Sequence, residues 1–270
     1  MLLITDEMTK SESKGGDILK TFTIILLISI FVICLINSTY PIGGDIVGHW
    51  TFDDGKGEKV KDSSKEGNDG LIRGNFQWVQ GRTGGALLFI RADTTYVEVP
   101  NNASLDIKNQ ITMLAWIKPT SIYTGGNWQE RNCIMAKRQA YYLDINEEGF
   151  LASYLYGVSP QEWLIGKTNI KKFIGNWVHV ATTYDGNEHK LFVNGKLDAS
   201  VKKSGAITVI GNNFSIGWVD YNRYFDGAMD DAMLWSVALS DQEIANFFSL
   251  SVNEKHKLTT CWGGLKRSFR

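Results

Sequence analysis

Short segments in which apolar and polar residues alternate, separated by turn signals, run through the middle of the chain. A period of two is typical of half-buried β-strands, and no stretch before residue 239 keeps the period of 3.6 that an amphipathic helix requires. Residues 146–149, 185–187 and 194–195 place Asn, Asp or Gly where a hairpin turn needs a positive φ. The pattern predicts strands at 46–52, 86–89, 96–99, 111–117, 134–137, 141–145, 151–156, 177–184, 189–193, 214–218 and 228–235.

One helix is predicted at the end of this region, over residues 240–248. It begins with Ser240 and Glu243, the spacing of a capping box in which each residue satisfies a backbone N–H near the other. Many short strands and a single helix over about two hundred residues predict an all-β fold, a two-sheet antiparallel sandwich.

An uncharged apolar run at residues 22–36 precedes the strands. As a helix rising about 1.5 Å per residue it would cover roughly 22 Å, which is less than the ~30 Å hydrocarbon core of a bilayer. We therefore predict an N-terminal hydrophobic helix, with residues 1–40 acting as a signal peptide that is cleaved after Ser38. An uncleaved membrane anchor is the alternative, and an unexported chain is the least favoured reading. A secreted or cell-surface protein is expected.

The charge of the chain is unevenly distributed. The formal net charge is -1, but the tail at 251–270 carries five Lys or Arg against one Glu. The central domain, predicted at 45–250, is mildly acidic, which argues against nucleic-acid binding by neutralisation of phosphates. If the leader is removed, Cys133 and Cys261 remain, and the sequence leaves open whether they pair. The basic tail is expected to be a solvated extension.

Catalytic constellations are not evident in the sequence. Glycoside cleavage needs two carboxylates facing the same site, and the nearest candidates are Asp144, Glu147 and Glu148. Because a hairpin turn follows, these side chains are expected to point at water. The four histidines do not have the spacing of a metal site, and His179 is expected on a sheet face. We therefore predict that the chain is not an enzyme.

A series of motifs in a fixed order identifies the family that the chain resembles. They are HWTFDDG at 49–55, DSS at 62–64, GNDG at 67–70, GGALLF at 84–89, YVEVP at 96–100, ITMLAWIK at 111–118, WVHVATTYDG at 177–186, LFVNG at 191–195, IG at 216–217 and FDGAMDDAMLW at 225–235. Together they resemble the laminin G-like, concanavalin A-like jelly-roll family over nearly all of residues 45–248. That fold serves lectins, adhesion modules, pentraxins and some glycoside-cleaving enzymes.

The resemblance also implies a structural calcium ion at the rim of the sandwich. In similar domains, a ligand comes from the aspartate that opens the late strand, which matches Asp230 here, and further oxygens come from near the first strand, around Asp53. Calcium prefers six to eight oxygen ligands from carboxylates, carbonyls and water. We therefore expect Ca²⁺ to be bound by Asp230 and Asp53.

Aromatic side chains are the candidate ligand contacts. Trp50, Trp116, Trp177 and Trp235 lie among apolar strand residues and are expected in the core. Trp128, Trp163 and Trp218, with Tyr221 near the last, lie in or beside polar loops. Such rings suit sugar binding, protein contacts or simple packing, and the sequence does not choose among these.

The function that we expect is an exported, non-catalytic module that binds carbohydrate or a cell-surface glycoconjugate. A protein-adhesion module with a protein partner is the alternative, and a glycoside-cleaving enzyme is the least favoured. No nucleic-acid partner is expected, and membrane contact would come only through residues 22–36 if they are not cleaved.

Overall fold

The structure is a computed structural model of the chain that describes residues 46–125, 129 and 131–253, the last four by their backbone alone. The predicted leader helix and its cleavage point, Trp128, Cys261 and residues 254–270 lie outside the described residues. Within those that are described, no helix is both long and apolar enough to cross a membrane.

Two antiparallel sheets form the sandwich, as predicted. The first sheet contains β1 (Ile46–Trp50), β4 (Gln77–Gln80), β5 (Gly85–Phe89), β7 (Ile111–Pro119), β12 (Val178–Tyr184), β13 (Glu188–Val193), β14 (Lys196–Lys202) and β16 (Gly227–Trp235). The second contains β2 (Lys59–Val60), β3 (Gly70–Arg73), β6 (Tyr96–Val99), β8 (Asn132–Lys137), β9 (Tyr141–Ile145), β10 (Phe150–Leu155), β11 (Leu164–Asn169) and β15 (Phe214–Ile216).

The strand order shows how the chain crosses between the sheets. The first sheet runs β14-β13-β12-β7-β16-β5-β4, with β1 also paired to β16, and the second runs β11-β10-β9-β8-β15-β6-β3-β2. Neighbours such as β15 and β6 are far apart in sequence, as a jelly roll requires. Three short 3-10 helices, Arg91–Asp93, Ala103–Leu105 and Ile170–Phe173, lie in the connections, and α1 (Asp241–Asn253) follows the last strand.

All eleven predicted strands are present, and the structure adds β2, β3, β4, β11 and β14. The core lies between the sheets, where Trp50 is fully buried and stacks on Phe214 with ring centroids 5.2 Å apart. Trp116 and Trp235 are also buried. The expectation for Trp177 was wrong, because this residue precedes β12 and is only half-buried.

A polar link joins the two sheets inside the core. His189 on β13 makes hydrogen bonds of 3.0 Å with Thr182 on β12 and with Ser153 on β10. Burial lowers the pKa of His189 to about 3, so the imidazole is neutral near pH 7 and can share a proton with these hydroxyls.

Helix α1 covers the outer face of the first sheet, which is the face turned away from the core. Its capping box is confirmed, because the Ser240 amide donates to Glu243 Oε2 at 2.7 Å and the Glu243 amide donates to Ser240 Oγ at 3.3 Å. The ring of Phe248 stacks on Trp116 at 5.7 Å, and Phe247 packs against Trp235 at 5.4 Å. None of the described helices covers the outer face of the second sheet in this way.

Asp198 fastens the two sheets together at one side. It lies on β14 of the first sheet, and its carboxylate accepts hydrogen bonds from the Lys167 and Thr168 amides of β11 in the second sheet, at 2.9 and 3.2 Å. The Thr168 hydroxyl donates to the other oxygen at 2.6 Å. Gly166 permits this approach, since a Cβ there would lie 2.2 Å from Asp198 Oδ2.

Candidate functional site

The outer face of the second sheet carries side chains that the alternation of β9 and β10 places there. Tyr141, Leu143 and Ile145 of β9 point into the core, so Tyr142 and Asp144 point outward. On β10, Tyr154 is outward because Leu151 and Leu155 are in the core.

The first aromatic cluster on this face is built around Trp163. Its ring lies 5.2 Å from that of Tyr154 and 6.0 Å from that of Tyr142, and Tyr156 packs 4.8 Å from Tyr154. The guanidinium of Arg131 lies 3.8 Å from the Trp163 ring centroid, a cation–π contact. Trp163 is half-buried, so part of the ring faces solvent.

The second aromatic cluster is built around Trp218. Its ring lies 4.8 Å from that of Tyr96 on β6 and stacks on Tyr224 at 5.9 Å. The indole N–H of Trp218 donates to the carbonyl of Tyr221 at 3.2 Å. Tyr221 is 56% exposed and has a φ of 58°. A bulky side chain rarely adopts this conformation, which costs about 1 to 3 kcal/mol and is often retained at binding sites.

Charged side chains of both signs lie near and between the two clusters. Arg131 Nε is 3.0 Å from Glu147 Oε2. Asp220 pairs with Arg138 at 3.1 Å and with Arg223 at 3.7 Å. Asp144 lies near Arg223 and Arg131.

Asp144 corrects the expectation that the carboxylates of this segment point at water. Its side chain is fully buried, while Glu147 is half-buried and Glu148 is exposed. Among the described residues, neither Asp144 oxygen has a hydrogen-bond partner, apart from the weak thiol donor of its cross-strand neighbour Cys133. Burial raises the pKa of Asp144 to about 6, although the nearby Arg223 and Arg131 favour the ionised form.

Arg91 holds the loop that carries Tyr221. Its guanidinium donates to the carbonyls of Asn222 at 2.5 Å and Tyr224 at 2.7 Å, and it lies 4.3 Å from the Tyr123 ring centroid. The Asn132 side chain bonds both the amide and the carbonyl of Tyr123, at 2.9 and 3.0 Å. These bonds hold Tyr123 and residues 222–224 beside the outer face.

The structure brings three of the four predicted ligand-binding residues to the same face of the sandwich. Trp163, Trp218 and Tyr221 lie on one face of one sheet, and Trp128 lies outside the described residues. Sequence reasoning missed Arg131 and Arg223, which come from loops. It also misjudged Asp144, although the alternation with Tyr142 on a predicted strand was an available signal.

The two predicted metal ligands lie elsewhere, around the turn at residues 81–84. Asp230 accepts hydrogen bonds from the Arg82 and Thr83 amides at 2.9 and 3.1 Å, and Asp53 accepts one from Gly85 at 2.7 Å. Each uses one carboxylate oxygen for these bonds. Burial and the charge of Asp231 raise the pKa of Asp230, and a bound cation would favour its ionised form instead.

The remaining candidates for metal binding are limited. Asp231 is paired with His49 at 3.0 Å. In the described part of the chain, no group of three or more His, Cys, Asp or Glu side chains is arranged to hold a metal. The donor set around Asp230 and Asp53 therefore fits calcium only if backbone or water oxygens complete the coordination shell.

His179 lies on the outer face of the first sheet, as expected, packed 5.3 Å from Trp116 and 6.3 Å from Phe248. Burial lowers its pKa to about 3. It is a packed, neutral side chain under helix α1.

Comparison with known proteins agrees with this architecture. The model of the concanavalin A-like lectin/glucanases superfamily matches residues 91–245. Among curated proteins, pappalysin-1 of Mus musculus is 35% identical over 77 residues, which is 27% of this chain and 5% of that protein. The chain thus spans a small fraction of that relative.

Solved structures with the same fold include a domain of an arabinanase and the binding domain of a mosquitocidal protein. Domain 4 of an extracellular GH43 arabinanase from Geobacillus stearothermophilus, in complex with arabinotriose, has a TM-score of 0.58 and 22% identity, covering 74% of this chain and 97% of that one. The binding domain of Paraclostridial Mosquitocidal Protein 1 has a TM-score of 0.63 and 15% identity, covering 77% and 53%. At these identities the likeness shows the fold.

Proposed function

The chain belongs to the concanavalin A-like lectin/glucanase superfamily, and on that basis we propose that it is an exported, non-catalytic module that binds carbohydrate at the outer face of its second sheet. The glycan would be free or part of a cell-surface glycoconjugate.

The observation that carries the proposal is that two half-exposed tryptophans lie with polar groups on a sheet face that none of the described helices covers. A sugar ring has an apolar face that packs on aromatic rings and a belt of hydroxyls that needs hydrogen bonds. Trp163 and Trp218 supply the rings, and the partly exposed side chains of Arg138, Asp220 and Glu147 supply donors and acceptors. The outer face of the first sheet is occupied by α1, so it is the less suitable surface.

The carboxylates on this face support a binding role rather than catalysis. A glycosidase needs an acid and a second carboxylate that both reach the scissile bond. Asp144 is fully buried, and Glu147 is engaged with Arg131. Both carboxyl groups lie beside guanidinium groups, where they can hold these arginine side chains in position.

Two further parts of the proposal concern calcium and export. A structural Ca²⁺ would use the second carboxylate oxygens of Asp230 and Asp53 and would stabilise the turn at 81–84 that these residues already hold. The apolar run at 22–36 would direct the chain out of the cell, as a cleaved signal or as an anchor.

A glycan array is the direct test, followed by titration calorimetry of the ligands that it selects. We expect binding that falls about tenfold or more in Trp163→Ala and in Trp218→Ala, equivalent to about 1.4 kcal/mol or more. Trp177→Ala is the matched control, since it removes a half-buried tryptophan beside β12 of the first sheet and should leave affinity unchanged.

A silent array would contradict the proposal and would favour the protein-adhesion alternative. Release of shortened products from any bound polysaccharide would contradict the non-catalytic assignment.

A further inference from the structure

The two aromatic clusters of the second sheet are separated across its strands. Tyr142 of the first cluster lies on β9 and Tyr96 of the second lies on β6, and strands β8 and β15 run between them. Neighbouring strands are ~4.8 Å apart, so these three steps correspond to about 14 Å. That distance exceeds the length of one sugar ring, so a monosaccharide is too short to reach from the strand beneath the first cluster to the strand beneath the second.

The surface between the clusters is continuous. The Arg223 guanidinium lies 6.0 Å from the Tyr142 ring and 5.9 Å from the Tyr221 ring, but it is buried. The polar groups that reach solvent between the two ends are those of the Arg138–Asp220 pair. Val219 is buried against Tyr142 and Cys133. A ligand lying across the strands would meet an aromatic ring, then polar groups, then aromatic rings again.

In the second cluster, the ring of Tyr221 is held in position before a ligand binds. Tyr221 keeps a large exposed ring in a left-handed backbone conformation, and Arg91 bonds the carbonyls of the residues that follow it. A site that is ordered before binding loses less conformational entropy when the ligand arrives.

The charges on this face favour an uncharged ligand. Arg131 is paired with Glu147, and Arg138 and Arg223 are paired with Asp220. An acidic sugar would therefore find no unpaired guanidinium among these and would lose hydration without a compensating ion pair. Hydroxyl groups can instead share the remaining donors and acceptors.

We infer that this face is a two-platform site for a linear, uncharged oligosaccharide that crosses the strands, with Trp163 beneath one end and Trp218 with Tyr221 beneath the other. The inference rests on the proposed function and specifies its ligand class.

Titration calorimetry with ligands of graded length tests the inference. The probes are arabinan-, xylan- and β-glucan-derived oligosaccharides of one to six sugars, and oligogalacturonides of the same lengths serve as the acidic series. For the neutral series that binds, affinity should rise about tenfold or more between one and four sugars and then level off. Trp163→Ala and Trp218→Ala should each remove that gain, and Trp163→Phe should keep much of it.

The outcomes separate the two proposals. Equal affinity for one and four sugars, or tighter binding of the acidic series, would overturn the two-platform inference while leaving carbohydrate binding intact. The inference would also fail if only one of the two tryptophans affected the longer ligands. Absence of binding to every probe and to the glycan array would overturn the proposed function itself. Thermal unfolding of each variant shows whether a loss reflects misfolding.

Discussion

Replacing Asp144 with Asn removes the buried charge at the centre of the candidate site. Burial raises the pKa of Asp144 from its ordinary 3.8 to about 6, a difference that corresponds to about 3 kcal/mol of unfolding free energy. Since the folded-state pKa is the higher one, the ionised carboxylate opposes folding. Its cost is absent below about pH 4 and complete above about pH 6.

Urea unfolding of the wild type and of Asp144→Asn, from about pH 4 to about pH 7.5, measures this effect. The asparagine does not titrate, so the stability of the variant relative to the wild type should rise by about 3 kcal/mol over that range. The slope with pH is the relevant result, because it is independent of any constant packing cost. Glu148→Gln, at an exposed carboxylate of the same segment, is the matched control for loss of a carboxylate. A flat or falling difference for Asp144→Asn would refute the reasoning and mean that Arg131 and Arg223 outweigh burial.

Three other predictions concern the fold. Gly84→Ala should lower the free energy of unfolding by about 1 to 3 kcal/mol in urea, because Gly84 has a φ of 68° and its new Cβ would lie 2.2 Å from Asp53 Oδ1. Gly57→Ala, with a φ of 73° and open space, should cost only about 1 kcal/mol, so equal losses would contradict the steric argument. EDTA should lower the thermal midpoint, and Asp230→Asn should abolish the difference, whereas an unchanged wild-type midpoint would exclude a structural calcium. Ser240→Ala should cost about 1 kcal/mol by loss of the helix cap, which urea unfolding would show, and no loss would mean that the capping hydrogen bonds add nothing to stability.

The strands that could be predicted from the sequence are those whose inward-facing positions are apolar because they are buried in the core. β9 and β12 are buried along their whole length, and their apolar positions are plain in the sequence. β14, in contrast, has no fully buried residue, because it lies at the edge of its sheet and reads as a polar segment. The short β2 has too few residues for a period to be visible.

The site was predictable only in its aromatic part. Trp163, Trp218 and Tyr221 stood out as large rings in polar loops, and no burial information was needed to notice them. The burial of Asp144 depends on side chains that the topology brings from distant loops, Arg131 before β8 and Arg223 after β15. Periodicity gives the direction in which a strand residue points, but it does not show which loops cover it.

The bonds made by Asp198 affect how this protein behaves toward other copies of itself. β11 and β14 are both edge strands, and an exposed edge offers unpaired N–H groups to which a foreign strand can add. Asp198 occupies the Lys167 and Thr168 amides of β11, so the β11 edge is a poor template for strand addition. The same contact that positions the two sheets therefore also disfavours the pairing of β11 with the edge strand of another copy.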